Sequence, residues 1–204
     1  MERKRVAILI SGRGSNMASL IEAAKAPAYP AEIVLVVSNK PGAGGLAIAE
    51  AEGIPTRTVP HKSFPDRTSF EAEMERDIIA AGVELICLAG FMRVLTDGFI
   101  ERWRDRLINI HPSLLPAFPG LDTHERALAA GATTHGCTVH FVRAYVDTGP
   151  IIAQAAVPAL SDDTAETLAA RVLAEEHRLY PEALALVAGG KVRVEGERVV
   201  HLSV

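Results

Sequence analysis

The chain has 204 residues, with 21 Lys and Arg against 25 Asp and Glu, a formal net charge of −4 and 49% hydrophobic residues. That is room for one domain with a sizeable core, which argues against disorder, and the acidic balance argues against a broad basic face for nucleic acid. The longest uncharged apolar stretch, residues 85–92, falls far short of the ~18 residues of a membrane span, and Cys87 and Cys137 sit in apolar runs as buried thiols rather than in a disulfide or zinc pattern.

Arg3, Lys4 and Arg5 before the apolar run 6–10 mimic a signal peptide. The run is too short for one and leads straight into Gly12-Arg13-Gly14, so it reads as a strand covered on both faces, in a soluble cytoplasmic protein. A helical pattern follows, with Met17, Leu20, Ile21 and Ala24 on one face, stopping near Pro27 and Pro30. Residues 33–37 predict a second strand, 46–51 a short helix ended by Gly53, and 56–59 a weaker strand. Residues 67–81 predict a helix buried along Phe70, Met74, Ile78 and Ile79, and 83–88 and 107–110 predict two more strands. This alternation predicts a mostly parallel sheet with helices on both faces.

After residue 110 the pattern changes. Residues 111–120 hold three prolines, and a short helix is expected around 124–130. Residues 138–142 and 151–157 predict strands separated by a loop over 143–150. The longest helical pattern, 164–187, opens with the capping candidate Ser161 and acidic Asp162 and Asp163, and Pro181 is expected to kink or break it. Residues 192–194 and 198–202 flank Glu195-Gly196-Glu197 as a terminal hairpin. No repeat, low-complexity segment or linker is present.

Three motifs could carry chemistry. Ser11-Gly12-Arg13-Gly14-Ser15-Asn16 lies between a strand and a helix, where backbone N–H groups favour an anion and glycines allow close approach. No Gly-Lys-Ser/Thr closes it, and Met17 stands where a dinucleotide fingerprint needs a third glycine, so it suits a phosphate monoester or is an ordinary βα turn. Asn109 and His111 share one side of a strand end that Pro112 stiffens, in Asn109-Ile110-His111-Pro112-Ser113-Leu114-Leu115-Pro116. An amide beside an imidazole can polarise a carbonyl; the plainer reading is a turn histidine held by a backbone bond. Asp147 in Asp147-Thr148-Gly149-Pro150 is either a turn former or a carboxylate that orients His111.

His124, His135, His140 and His201 have no partner at metal-ligand spacing, so no metal is assigned. His177, in Glu175-Glu176-His177-Arg178, reads as part of a solvated helix face. Phe91-Met92-Arg93-Val94-Leu95 is either core plus loop or the hydrophobic wall of a site for a flat ring system. Gly149 and the stretch 133–136 offer hinges to the loop between them.

The segments 10–16, 88–93 and 109–116, with Asp147-x-Gly149-Pro150-Ile151-Ile152-x-Gln154, together resemble the folate-dependent phosphoribosylglycinamide formyltransferase family, in order from about residue 5 to 190. The His-Pro-Ser-Leu-Leu-Pro block with a downstream Asp-x-Gly-Pro is specific to folate-dependent formyltransferases, and the Ser-Gly-x-Gly-Ser-Asn loop narrows it to this branch. The resemblance implies an α/β, Rossmann-like, mostly parallel sheet with helices on both faces and partly antiparallel C-terminal strands. It implies one domain, with a phosphate-binding half (1–110), a folate-binding and catalytic half (111–190) and the hairpin (191–204). The implied reaction moves a formyl group from 10-formyltetrahydrofolate, as co-substrate, to glycinamide ribonucleotide in purine synthesis. The implied catalytic residues are Asn109, His111 and Asp147; the phosphate and ribose contacts are Gly14, Ser15, Asn16 and Glu176. Folate is expected against Met92, Arg93, Val94, Leu95 and the loop from Val142 to Asp147, with Arg67 as a ligand-facing cation. Arg13 departs from the Asn of several relatives, at a position whose loop works through backbone N–H groups.

The rival within the superfamily that acts on tRNA resembles a longer chain with a basic C-terminal domain, for which this acidic chain has no room. The hydrolase of formyl-folate usually carries an N-terminal regulatory domain, whereas here the matching core starts at residue 5. A non-catalytic phosphometabolite binder has no need of Asn109, His111 and Asp147 together. Small molecules are the expected partners, without nucleic acid or membrane, and the choice between monomer and homodimer stays open.

Overall fold

The computed structural model describes residues 2–202. Five parallel strands, β1 (Lys4–Ile10), β2 (Ala31–Ser38), β3 (Thr56–Thr58), β4 (Leu85–Leu88) and β5 (Leu107–His111), stand in the order β3-β2-β1-β4-β5. Strands β6 (Thr134–Phe141) and β7 (Ile151–Pro158) then extend the sheet antiparallel beyond β5. Alternation along β1 shows why its run is continuously apolar: Val6, Ile8 and Ile10 enter one core, Ala7 and Leu9 the other.

The first core is covered by α1 (Ser15–Ala24), α2 (Gly44–Ala51) and α6 (Ala165–Ala188). The second is covered by α3 (Arg67–Ala80) and α4 (Asp97–Arg102). The remaining helix, α5 (Thr123–Ala129), follows the proline-rich segment, and a separate two-stranded hairpin, β8 (Val192–Glu195) with β9 (Arg198–His201), follows α6.

Three expectations are corrected. Pro181 lies inside an unbroken α6. It removes one N–H from the ladder, but Tyr180, Ala183 and Leu184 around it are fully buried, and that packing holds the helix through the missing rung. The cap of α6 is Thr164, which exchanges hydrogen bonds with Thr167, not Ser161. Ile79 is 64% exposed, because Phe70, Met74 and Ile78 follow the i+4 spacing and the next residue turns away from that face. Both cysteines are free and buried, with the thiols pushed up to about 12 by desolvation.

Candidate active site

The strand ends of β4 and β5, with His140 of β6 and Asn16 of α1, open into a cavity of about 720 Å³. Asn109 and His111 both line it from β5; the intervening Ile110 packs into the first core and also borders the cavity. Their antiparallel partners on β6 are His140 and Thr138. The loop after β6 folds back so that Asp147, in a left-handed conformation (φ 57°), puts its carboxylate between two imidazoles. Oδ2 lies 3.4 Å from His111 Nδ1 and Oδ1 3.8 Å from His140 Nε2. Gly120 N–H anchors Oδ2 at 2.8 Å. The three expected catalytic residues thus come together from two segments of chain, β5 and the loop after β6, which sequence spacing alone could not establish.

His140 is the residue that sequence reasoning missed. It is 2% exposed, its Nδ1 lies 2.9 Å from the Phe141 carbonyl oxygen, and its Nε2 lies 3.3 Å from Asn109 Nδ2. Burial pushes its pKa below the usual histidine value, more than Phe141 and Asp147 pull it up. Its register opposite Asn109 was the available signal, but only once β6 is known to run antiparallel. His111 Nε2 lies 3.0 Å from the Phe118 carbonyl oxygen, so a ring protonated on both nitrogens finds an oxygen on each side.

At the other end of the cavity, α1 starts at Gly14 (φ 76°) with no side-chain cap and no acid in its first turn, leaving its first N–H groups free for an anion. A Cβ on Gly14 would sit 2.7 Å from Gly45 Cα, so the glycine serves both conformation and packing. Asn16 donates to Glu176 Oε2 at 2.6 Å, and its Oδ1 is buried without a partner among the described residues. Burial raises the Glu176 pKa against the lowering effect of Asn16. Ser15 opens α1, half-buried beside them.

The segment 91–95 has both of its expected characters. Phe91 and Leu95 are buried, while Met92 and Val94 are exposed, and all four line the cavity with Arg93, whose Nε is buried and unpartnered among the described residues. Val142 and Asp147 line the opposite wall. Arg67 is not part of the lining: it lies exposed at the start of α3 and donates to the Val94 carbonyl at 3.3 Å. His177 is half-buried rather than solvated, with its pKa lowered by desolvation.

Ser11 joins the two ends. Its Oγ accepts from Met92 N–H at 2.8 Å and donates to Asn39 Oδ1, and Asn39 Nδ2 lies 3.1 Å from His61 Nδ1. The glycines expected as hinges are packing positions instead. A Cβ would come within 1.6 Å of the Phe141 carbonyl oxygen at Gly149, and within 2.0 Å of the Ala155 oxygen at Gly136. Among the described residues no group of three or more His, Cys, Asp or Glu could hold a metal, and no helix is long and apolar enough to cross a membrane.

The formyl transferase family model matches residues 4–184. The chain is 40% identical to the phosphoribosylglycinamide formyltransferase of Escherichia coli (strain K12), over 93% of this chain and 89% of that protein. It is 55% identical to the trifunctional purine biosynthetic protein adenosine-3 of Drosophila pseudoobscura pseudoobscura, over 94% of this chain but 14% of that much longer protein. The crystal structure of glycinamide ribonucleotide transformylase 1 from Symbiobacterium toebii superimposes with a TM-score of 0.96 at 45% identity, covering 98% of this chain and 95% of that one.

Proposed function

Because the chain belongs to the formyl transferase family, we propose that it transfers a formyl group from 10-formyltetrahydrofolate to the amine of glycinamide ribonucleotide, a step of purine synthesis. The observation that carries this reading is the convergence of Asn109, His111, His140 and Asp147 on one wall of a cavity whose far end is an uncapped helix N-terminus. A phosphate monoester suits that N-terminus, with Asn16 and Glu176 reaching for the ribose. The wall formed by Met92, Arg93, Val94 and Leu95 faces Val142 and the loop to Asp147, as a flat pterin requires.

The chemistry is direct transfer. The substrate amine attacks the formyl carbon, and a new C–N bond forms while the bond to N10 of the folate breaks. Asn109 donates to the formyl oxygen with the amide hydrogen that His140 does not take, and His111 supports the oxyanion. For this the His111 Nε2–H, which can donate to the Phe118 carbonyl at rest, turns toward the oxyanion or divides between the two oxygens. Asp147 stabilises the imidazolium and relays the proton that the amine loses to the departing N10. Neither buried, high-pKa cysteine is available as a nucleophile. In this reading the enzyme works in the cytoplasm on two small-molecule substrates, as one domain, with neither nucleic acid nor membrane as partner.

The test is folate product formation from 10-formyltetrahydrofolate with and without glycinamide ribonucleotide. Turnover that requires the ribonucleotide supports the transferase; equal turnover with water alone replaces it with the hydrolase; silence in both removes the reaction altogether.

A further inference from the structure

The loop 143–150 is tied down at three places. Its base is closed by Phe141 N–H donating to the Pro150 carbonyl at 2.9 Å, with Gly149 packed against the Phe141 carbonyl. Asp147 is anchored by Gly120 N–H. The third tie is Arg143, whose side chain is only 8% exposed although it carries a full charge. Its Nη2 meets Asp105 Oδ1 at 2.7 Å and its Nε meets Glu197 Oε2 at 2.9 Å. Glu197 belongs to the turn of the β8–β9 hairpin, and its other oxygen is held by Arg104 Nη2 at 2.7 Å. Arg104 also reaches Glu101 Oε1 at 2.9 Å, so two guanidiniums and three carboxylates alternate across α4, the β5 approach, the loop and the hairpin.

We propose that the hairpin turn is a clasp for the folate-side loop, with Glu197 a positioning residue that acts through Arg143. This rests on the formyl-transfer reading given above. Between the Arg143 and Asp147 ties hang only Ala144, Tyr145 and Val146, all exposed, and Ala144 and Val146 line the cavity. Apart from the Tyr145 carbonyl, which accepts from the Thr148 hydroxyl at 2.9 Å within the loop itself, their placement depends on the two ends. The Asp147 end has its own anchor; the Arg143 end has the two carboxylates. Losing Glu197 therefore loosens the wall that receives the formyl donor and leaves Asp147 beside His111. A buried guanidinium that loses one of two carboxylates is also left short of countercharge, so the effect exceeds that of an ordinary exposed pair.

The experiment compares wild type with Glu197→Ala by steady-state kinetics and by amide hydrogen exchange at the base of the loop. Expected are a formyl-donor KM raised about fivefold, kcat within about twofold, an unchanged ribonucleotide KM, and faster exchange at Val142, whose N–H donates to the Leu107 carbonyl at 2.9 Å beside Arg143. The variant-to-wild-type ratio of donor KM should fall toward one at high salt, because Glu197 and Asp105 are half-exposed and screened. Arg143→Met should move the same quantities further. A donor KM and exchange both unchanged in Glu197→Ala would overturn the clasp. So would equal changes in both KM values and kcat with a lowered Tm, which mark general destabilisation. If wild type transfers no formyl group, the transfer reading fails on that result alone, and the exchange comparison still decides whether the hairpin holds the loop.

Discussion

Asn109 gives one amide hydrogen to His140, at 3.3 Å, and this contact sets which way the amide points. The Phe141 carbonyl can only accept, so His140 Nδ1 carries the ring hydrogen and Nε2 presents its lone pair. Asn109 must then turn Nδ2 toward His140, which leaves its second N–H for the formyl oxygen in the proposed transfer. His140→Leu removes the acceptor and frees the amide to rotate. The expected outcome is a kcat lower by about 10- to 100-fold with donor KM little changed, measured by steady-state kinetics. A kcat within twofold of wild type would show that the amide needs no such partner.

The same burial makes stability depend on pH. Desolvation lowers the pKa of His124, His135, His140 and His177 from the ordinary 6.5. Each therefore binds its proton more readily in the unfolded chain, so its contribution is present above the unfolded value and is lost as pH falls below it. Glu176 has the opposite sign: its pKa is raised from 4.5, so its contribution is present below that value and lost as pH rises through the folded pKa. Thermal unfolding should give a Tm that climbs between about pH 5 and 7 and levels off above. The slope should be shallower in His140→Asn.

The parallel half of the fold was legible because its central strands are buried on both faces and read as unbroken apolar runs, as 6–10 and 85–88 do. The helix α4 escaped notice: it has six residues, too few for a periodic stripe, and depends on the Thr96 cap and on Phe99 and Ile100 meeting the second core. Asn109, His111 and Asp147 were each readable as candidates, but the contacts among them come from β6 running antiparallel and from the left-handed turn at Asp147. His140 carried no motif at all, and its role comes wholly from register. The hairpin was visible as two strands around a turn, whereas the pairing of its Glu197 with Arg143 crosses 54 positions of sequence.

Two glycines give opposite expectations for the same substitution. Gly149→Ala forces a methyl group to within 1.6 Å of the Phe141 carbonyl oxygen, at the base of the loop that carries Asp147. Backbone faces it, so the loop must open; a loss of at least about 3 kcal/mol is expected, with activity lost in parallel. Gly98→Ala lies inside α4 and meets only the far end of Arg102, at 3.4 Å. Here the gain in helix propensity should stabilise the protein by about 0.5–1 kcal/mol. Denaturant unfolding of both variants checks the pair, and similar stabilities would contradict the packing argument.

Ser11 extends the β1–β4 pairing by a side chain. The last backbone rung is Ala89 N–H to the Leu9 carbonyl at 2.9 Å; the chain then turns at Gly90 (φ 71°), and Met92 N–H returns to Ser11 Oγ at 2.8 Å. Asn39 takes the hydroxyl hydrogen, which fixes the lone pairs toward Met92. In the proposed reading Ser11 opens the loop that takes the phosphate and Met92 begins the wall that takes the folate, so the hydroxyl would set the spacing between amine and formyl carbon. Ser11→Ala leaves Met92 N–H and Asn39 Oδ1 without their partner, at a cost of about 1–3 kcal/mol. Part should appear as weaker binding of a folate analogue and part as a lower kcat, since a misplacement of about 1 Å is felt in the reaction itself. Asn39→Ala frees the hydroxyl to rotate and should produce a smaller loss of the same kind. The double variant should lose little more than Ser11→Ala alone, because both act through one hydrogen-bond chain. Additive losses in that cycle would mean that the two residues serve the strand ends separately.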